Sequence, residues 1–427
     1  MADAIPEAVS GAVAALWARR GPRPDNTFET PEFVRLKDAC IASYQVGAAF
    51  WFAMSLWEIL KSLGCAMLLP KDQQALALTA AEAERRQHVA LTASVSKVVH
   101  LCPLDWADGP PAVRFGSNRI NRFSADELRA IADAPRIARA FPSMRPDWDR
   151  LAQFHWLVVE ETLPITVEPG ARTNPFMYEV MHDLGAITAH EGRFPEAVEE
   201  ALFLLLLAPW EDWAEAQEVD WRGFRIPWVY SMSDDLCVPL KSPPLDSSLT
   251  WLPEVFYNAY GEPEEFEVPA RFSTADEATT LPDYASDAAW ADLVRAARSP
   301  LFETPIRHFL VRAFHSTGID EFIAHLTVLE AALGLQSDYG GKRAASDPRK
   351  GRKATQIMMA RVAALLDDAA AAVEFEELFN LRSAYVHGRP MAPISSVDWF
   401  RARRLARRAV VALVRYATGF AGAAPLD

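Results

Sequence analysis

The stretch ELFNLRSAYVHGRP, residues 377–390, predicts the last turns of an amphipathic helix that carries an arginine on its apolar side. The apolar stripe of this helix is formed by three residues spaced three and four apart: Phe375, Leu378 and Phe379. Arg382 follows them by seven, four and three residues, so it falls on the same stripe. Gly388 and Pro390 stop the helix directly after His387.

A second charged residue falls on the apolar stripe of another predicted helix. That stripe is formed by apolar residues at helical spacing: Ile319, Phe322, Ile323, Leu326 and Leu333. Glu330 lies among them. Because an unpaired buried charge is costly, each charged residue needs a partner or water. We therefore predict that Glu330 and Arg382 form an ion pair or line a cleft together. An ion pair that only fixes the helix register is the structural alternative.

The spacing between Arg382 and His387 limits how their side chains can meet. Five residues turn a regular helix by about 140°, so the two groups diverge within one helix. They can converge if the helix unwinds near residues 386–388, or if two copies of the chain meet across a two-fold axis. Alternatively, a histidine at a helix end is structural, because it interacts favourably with the helix dipole.

Residues 301–427 predict an all-helical C-terminal part. The expected helices span residues 305–315, 320–335, 354–366, 370–386 and 396–418. Ser395 and Asp398 form a capping pair for the last helix. Short connections between helices of this length favour an antiparallel bundle, which we place at residues 300–420. A loop with six basic residues, at residues 337–353, interrupts it.

The motif and its flanking residues resemble a known family. RSAYVHG matches the R-x4-H signature of the HEPN superfamily, and with LFNLRSAYVHG and FIAHLTVLEAALG it is most similar to the Apea-like HEPN domain, over residues 301–420. The resemblance implies a metal-independent endoribonuclease, often a toxin or antiphage effector, whose composite site forms by dimerisation. It assigns catalysis to Arg382 and His387. Ser383 stands where active families often have Asn, Asp or His, and some relatives are non-catalytic binding modules.

These residue types suit RNA cleavage without a metal ion. RNA carries its own nucleophile, the 2′-OH. A neutral His387 can accept the proton of that hydroxyl, and a protonated histidine can donate one to the leaving 5′-oxygen. Arg382 can hold the phosphate with two hydrogen bonds and stabilise the charge of the transition state. The expected products are a 2′,3′-cyclic phosphate and a 5′-hydroxyl, and we expect neither a cofactor nor a metal.

Basic residues in the same part of the chain predict an RNA-binding surface. They come from the last helix and from the loop: Arg401, Arg404, Arg408 and Arg415, with Lys342, Arg343, Arg349, Lys350, Arg352 and Lys353. Together they could follow an RNA backbone. A solvated basic face explains any single one of them equally well. Glu330, Ser383 and Tyr385 are expected to support the site.

Residues 1–290 predict a larger α+β region of one or two subdomains, with a sensing or regulatory role. Its expected elements are helices in residues 33–100, a helix that begins with a Ser124–Glu127 capping box, a helix at residues 194–207, short strands in residues 219–272 and a polar connection at residues 273–299. The fold class predicted for the whole chain is therefore mainly α, with a HEPN-like helical bundle after this region.

The composition indicates a folded protein of more than one domain. The chain has 427 residues, of which 50% are hydrophobic and 23% are charged, so it is too long for one ordinary core and too apolar for disorder. The net charge of −14 argues against nucleic-acid binding over the whole surface. Residues 301–427, however, hold 17 Lys and Arg against 13 Asp and Glu, whereas the remainder holds 26 against 44. The acidic and basic parts therefore indicate different roles.

The cysteines and the apolar segments predict a cytoplasmic protein without a membrane span. The four cysteines are scattered, without metal-ligand spacing, and indicate reduced, buried thiols: Cys40, Cys65, Cys102 and Cys237. The N-terminus has no signal-peptide pattern. Residues 39–57 are uncharged over 19 positions, but their polar residues, and Glu58 and Lys61 beyond them, favour a buried helix over a membrane helix.

Other motifs are too incomplete to carry a function. YGGKRA, around Gly340, lacks the spacing of a phosphate loop, and His182 and His190 have no third metal ligand in the sequence. SMSDDL, residues 231–236, lacks the Gly-Ser turn of a nucleotidyltransferase. Three functions remain open: the endoribonuclease, a non-catalytic module that binds RNA, a nucleotide or a protein, and a structural dimer without RNA contact. The expected partners are RNA, a second copy of the chain, and an antitoxin or phage trigger, with no membrane.

Overall fold

Helices dominate the structure, a computed structural model that describes residues 4–19, 24–44, 46, 49–165, 192–217, 220–334, 351–388 and 393–419. The strands are fewer and short. The fold is therefore mainly α with small sheets, which confirms the coarse class that the sequence predicts. None of the helices in these ranges is both long enough and apolar enough to cross a membrane.

In chain order, the α-helices of the described residues are α1 (Glu7–Ala18), α2 (Pro31–Ser43), α3 (Ala49–Leu63), α4 (Ala80–Thr92), α5 (Ala125–Ile131), α6 (Ala134–Ala140), α7 (Trp148–Leu151), α8 (Glu196–Leu205), α9 (Trp210–Trp213), α10 (Leu281–Tyr284), α11 (Asp287–Ala296), α12 (Ile306–His315), α13 (Gly318–Leu333), α14 (Ala354–Leu366), α15 (Ala369–Val386) and α16 (Ser396–Gly419). The strands are β1 (Val95–Leu104), β2 (Val113–Phe115), β3 (Asn118–Asn121), β4 (His155–Pro164), β5 (Tyr230–Ser233), β6 (Trp251–Tyr257) and β7 (Pro263–Pro269).

The chain forms two compact units, each built from three separate segments. The first comprises Met1–Pro103, Arg122–Ile187 and Pro227–Thr250, and the second comprises Leu104–Asn121, Thr188–Ile226 and Trp251–Asp427. The predicted domains follow one another in sequence, with a boundary at residues 290–300. In the structure, residues 188–226 belong instead to the same unit as the C-terminal helices. The sensing role given to residues 1–290 stays a prediction.

The first unit has a helical core formed by α1 to α4. Its buried residues include Val13, Leu16, Phe33, Leu36, Phe52 and Leu56. Helix α2 ends at Ser43 and α3 begins at Ala49, so the apolar run at residues 39–57 is divided between two helices. The prediction of one continuous helix there was wrong, although its apolar side chains do lie in a core.

The sheet of the first unit begins where a helical segment was expected. Strand β1 lies between β4 and β5 and pairs antiparallel with β5, with Val98 opposite Ser233. Residues 95–100 are therefore extended, not helical, because the β-branched Val95, Val98 and Val99 favour a strand. The predicted capping box is present at the start of α5.

The second unit contains all the helices from α8 onward. Helix α8 confirms the helix predicted at residues 194–207. The segment at residues 273–299 is not the connection that its polarity suggested, because it contains α10 and α11. Ser286 caps α11 by accepting a hydrogen bond from the Ala289 N–H, and Leu293 is buried. The helix buries Leu293 and Ala296, which lie three residues apart, within an otherwise polar stretch.

Strands β6 and β7 form a two-stranded hairpin in the second unit, which confirms the short strands predicted around residues 219–272. The Asn258 N–H donates to the Glu262 carbonyl at 3.0 Å and closes the hairpin. Along an antiparallel pair of strands, hydrogen-bonded and non-hydrogen-bonded residue pairs alternate. Counted from Asn258 and Glu262, Pro253 and Pro263 both fall in non-hydrogen-bonded pairs. The N–H that each proline lacks would therefore point away from the partner strand.

The C-terminal helices α12 to α16 follow the predicted bounds within two residues. The Asp398 N–H donates to the Ser395 side chain at 3.2 Å, as the predicted cap requires. Helix α13 packs against α12 and α16, and α14 packs against α15. These contacts place the R-x4-H motif of α15 near the end of a helix within the second unit.

Candidate functional site

Helices α13 and α15 bring together the two charged residues that the sequence places on apolar stripes. The Arg382 Nη1 donates a hydrogen bond to Glu330 Oε1 at 2.9 Å. The two side chains are 23% and 20% exposed, respectively. Burial raises the pKa of Glu330, although Arg382 acts to lower it. The predicted ion pair is therefore present.

The Arg382 guanidinium also has a donor that remains unused. Its Nε is buried and has no hydrogen-bond partner among the described residues. The Phe379 ring lies 5.8 Å from the guanidinium carbon. Because an unsatisfied buried donor is costly, a hydrogen-bond acceptor placed here would be favourable.

His387 lies directly after the last residue of α15. Its backbone N–H donates to the Ser383 carbonyl at 3.1 Å, and Gly388 then adopts a left-handed φ of 61°. The imidazole is exposed, and no described residue forms a hydrogen bond or an ion pair with it. Helix α15 is regular through Val386, so Arg382 and His387 leave it in different directions. Within one copy, unwinding does not bring them together.

An apolar cavity of about 600 Å³ lies at the same end of α15. Its lining residues come from α13, α15 and α16 and from the segment before α16: Gly318, Ile319, Phe322, Tyr385, Pro393, Ile394 and Trp399. Tyr385, predicted as a supporting residue, is 44% exposed and lines this cavity. Ser383 is half-buried and contributes its carbonyl to the end of the helix.

Three predicted RNA-binding arginines of α16 lie next to acidic residues of the same unit: Arg401 contacts Glu374 at 3.0 Å and Glu377 at 2.6 Å, Arg408 contacts Asp368 at 2.9 Å, and Arg404 contacts Asp212 at 3.8 Å. The helix therefore does not present a row of unpaired cations. An RNA phosphate would have to compete with these carboxylates.

The structure describes only part of the predicted basic loop. Lys342, Arg343, Arg349 and Lys350 lie outside the described residues, as do His182 and His190. Arg352 and Lys353 are exposed just before α14. These two residues are accessible for a phosphate contact.

A buried charge network, which the sequence did not reveal, lies elsewhere in the second unit. Glu321 on α13 is fully buried, and Arg403 on α16 is 2% exposed. The Arg403 Nε lies 2.9 Å from Glu321 Oε1, and Arg222 Nη2 donates to Glu321 Oε2 at 2.9 Å. The Trp221 indole N–H donates to the same carboxylate at 2.6 Å. Residues distant in sequence are thus joined through one carboxylate.

Part of this network could have been found from helical spacing. Arg403 precedes Ala406 by three residues and Val410 by seven, and both are fully buried. It therefore falls on the apolar stripe of α16, as Arg382 does on that of α15. Burial lowers the pKa of Arg403 to about 10 and raises the pKa of Glu321. The partner Arg222 carries no comparable signal, because it lies in an irregular segment.

Two histidines of the second unit are held neutral by burial. Burial lowers the pKa of His325 on α13 to about 3, and burial lowers that of His315 on α12 to about 3. The His325 Nδ1 lies 2.9 Å from the Glu321 carbonyl oxygen. His325 therefore belongs to the buried network and serves structure.

The described residues contain no group of three His, Cys, Asp or Glu side chains arranged to hold a metal ion. All four cysteines are buried and free, as predicted. Burial raises the pKa of the Cys40 thiol to about 12 and that of Cys65 to about 11. Neither of these two thiols is therefore suited to act as a thiolate nucleophile.

No family model matches the chain, and neither a curated protein nor a solved structure matches it. The function must therefore be inferred from the geometry of the chain itself. The candidate features for a functional site are the Glu330–Arg382 pair, the exposed His387 and the cavity beside Tyr385.

Proposed function

We propose that the protein is a metal-independent endoribonuclease of HEPN type, acting as a toxin or antiphage effector. Arg382 and His387 are its catalytic residues in this proposal. The HEPN assignment rests on the R-x4-H motif and the surrounding helices, and the activity rests on that assignment. The acidic remainder of the chain would sense a trigger or restrain the nuclease.

The observation that carries the proposal is the contrast between two side chains five residues apart. Arg382 is held on an apolar stripe with a buried, unused Nε donor, and His387 is an exposed imidazole at the helix end. A fixed cation and an accessible proton carrier are the two groups that transesterification of RNA needs.

The reaction begins with removal of the 2′-OH proton by a neutral imidazole. The 2′-oxygen forms a bond to phosphorus, and the bond from phosphorus to the 5′-oxygen breaks. A protonated imidazole donates a proton to the leaving oxygen. The products are a 2′,3′-cyclic phosphate and a 5′-hydroxyl, and Arg382 stabilises the phosphate charge during the transfer.

The proposed site needs two copies of the chain. One copy provides a single His387, whereas acid–base catalysis uses a proton acceptor and a proton donor. A two-fold axis near the end of α15 would supply a second imidazole and a second arginine. The exposed Tyr385 and Val386 beside this helix end are compatible with such an interface.

The test is RNA cleavage in EDTA by the purified wild type, Arg382→Ala and His387→Ala. Arg298→Ala, at an exposed position of the same unit, is the matched control. We expect Arg382→Ala and His387→Ala to lose cleavage. The wild type and Arg298→Ala should cleave RNA and leave 2′,3′-cyclic phosphate at the product ends. Equal cleavage by all four proteins would remove the motif from the mechanism.

A non-catalytic RNA- or nucleotide-binding module is the second candidate, and the Glu330–Arg382 pair favours it. A carboxylate that already occupies the arginine weakens its hold on a phosphate. Ser383 in place of a stronger polar residue points the same way. This candidate predicts tight RNA binding without cleavage, and harmless expression in a host that the nuclease would arrest.

A further inference from the structure

A second cavity does not include the R-x4-H motif among its lining residues. It has a volume of about 710 Å³ and lies between α8, α11 and the start of α12, within the second unit. This volume falls in the range of sites that hold small organic ligands. Neither the proposed nuclease nor the buried charge network uses it.

Two carboxylates at the cavity rim share one arginine. Arg307 on α12 bridges Glu196 and Glu200, which lie one turn apart on α8, and it contacts Glu196 at 2.7 Å. One guanidinium between two carboxylates leaves this group with one excess negative charge. Arg193 lines the same cavity, so its wall carries basic as well as acidic groups.

A third carboxylate lies deeper and is not neutralised in this way. Glu199 is 6% exposed and lines the cavity, and no described residue donates a hydrogen bond to its side chain. The His308 imidazole is near it, and its Nδ1 lies 3.7 Å from Glu199 Oε2, beyond hydrogen-bond distance. A buried carboxylate with unused acceptors favours a ligand that brings its own N–H donors.

The backbone next to Glu199 is shaped around that carboxylate. A Cβ at Gly192 would lie 2.1 Å from Glu199 Oε1 and 2.4 Å from Oε2. Any side chain at Gly192 would push the carboxylate away. The close approach is thus a specific feature of this cavity wall, because only a glycine leaves room for the Glu199 carboxylate at this position.

The remaining wall is apolar and aromatic. Phe203 and Phe302 meet edge to face with ring centroids 6.5 Å apart, and Trp290, Leu293 and Val294 of α11 line the same space. Aromatic walls bind flat apolar bodies and also attract cations through the ring faces. The cavity therefore combines one buried anionic end with a ring-sized apolar body.

We propose that this cavity binds a small organic cation: an amine or amidine attached to an aromatic ring, with its nitrogens on Glu199 and its ring against Trp290 and Phe203. A charged N–H donor pair matches the two carboxylate oxygens, and the ring fills the apolar part. The buried carboxylate of Glu199 adds selectivity against anionic ligands. This inference does not depend on the nuclease activity.

The experiment uses three probes of nearly equal shape: benzamidine, benzamide and benzoate. Binding to the full chain is measured by calorimetry and by ligand-observed NMR. We expect benzamidine to bind about tenfold or more tightly than neutral benzamide, because charge-assisted hydrogen bonds are the stronger ones. We expect benzoate not to bind. Equal binding of the three probes, or no binding of benzamidine, would overturn the proposal.

Variants locate the binding within the cavity. Glu199→Gln keeps the side-chain shape and should weaken benzamidine binding about tenfold or more, because the charge is lost. Glu303→Gln, at an exposed position outside the cavity, is the matched control and should bind as the wild type does. Val294→Trp narrows the cavity from a position that is 38% exposed, so it tests the site even if Glu199→Gln fails to fold. Unchanged binding in either cavity variant contradicts the assignment.

Discussion

The guanidinium of Arg382 on α15 and the carboxylate of Glu330 on α13 are joined by a hydrogen bond of 2.9 Å. The cation of the R-x4-H motif is thus paired with an anion of its own chain. A phosphate that binds Arg382 must either displace Glu330 or use the remaining guanidinium donors. Glu330 therefore both holds the arginine in position and competes with the ligand.

Glu330→Gln separates these two roles. The glutamine carbonyl can still accept the hydrogen bond from Arg382, but the competing charge is gone. We expect the free energy of unfolding to fall by about 1 kcal/mol, and the affinity for a short RNA to rise. Denaturant unfolding and fluorescence anisotropy measure the two effects, with Glu376→Gln, exposed on α15, as control. A weaker RNA affinity would show that Glu330 contributes to the binding site instead.

His387→Asn tests a chemical role against a structural one. The side chain is exposed and has no described partner, so we expect the free energy of unfolding to change by no more than about 0.5 kcal/mol. Under the proposed function, the rate of RNA cleavage falls about 100-fold or more, because proton transfer is lost. If stability falls and cleavage does not, the histidine serves only to end the helix.

The salt dependence of RNA binding identifies which cations contact phosphates. Arg352 and Lys353 are exposed, whereas Arg401 is held by Glu374 and Glu377. Removing either exposed cation should reduce the slope of log K against log salt by about 0.7 to 0.9. We expect Arg401→Ala to leave this slope nearly unchanged. An equal reduction by Arg401→Ala would show that RNA displaces the carboxylates.

The Glu321–Arg403 contact should be among the most sensitive positions of the second unit. Removing one partner leaves the other charge buried, so Arg403→Met should lower the free energy of unfolding by about 3–5 kcal/mol. Arg312→Met, an exposed position on α12, is the matched control and should change it by no more than about 0.5 kcal/mol. Denaturant titration measures both. A loss of less than about 1 kcal/mol for Arg403→Met would mean that the network is dispensable.

Acid should weaken the folded state through His325. Its pKa is about 3 in the folded chain, against an ordinary value of 6.5, so below pH 6.5 the unfolded chain takes up a proton that the folded chain does not. The stability contributed by the neutral imidazole is full above pH 6.5 and falls as the pH drops toward 3. From pH 7 to pH 5 the loss is about 2 kcal/mol.

His325→Phe keeps an aromatic ring at this position and removes the titration. We expect its stability to depend less on pH than that of the wild type, whereas Thr327→Val on the same helix keeps the full dependence. Unfolding free energies at pH 7, 6 and 5 give the comparison. The neighbouring charges are Glu321, Arg222 and Arg403, and the second buried histidine, His315, also has a pKa lowered to about 3. An equal slope in all three proteins would assign the pH dependence to groups other than His325.

The C-terminal helices were predictable because each carries its own local signals. The Ser395–Asp398 cap, the left-handed Gly388 and the apolar spacing around Arg382 are all readable from adjacent residues. The break between α2 and α3 was not predictable, since the run at residues 39–57 has no proline and is typical of one apolar helix. Strand β1 was missed because it follows α4 after only two residues.

The site could be predicted only where both partners lie on regular helices. The stripes of α13 and α15 point to Glu330 and Arg382, and the structure shows them paired. Arg222 and Glu199 gave no such signal. Arg222 lies in an irregular segment, and the importance of Glu199 comes from the close approach of Gly192 and from a cavity that no local pattern describes.

The bond between Arg222 and Glu321 has a consequence for synthesis on the ribosome. About 180 residues separate Arg222 from Arg403, the other arginine on that carboxylate. At roughly 5–20 residues per second, roughly 10–40 s pass between the emergence of the two. Arg222 lacks its carboxylate until Glu321 emerges, and the network lacks Arg403 until α16 emerges, so it can form completely only late in synthesis. A C-terminal fragment cut at residue 300 would lack Arg222 altogether and leave Glu321 with fewer partners than the full chain provides.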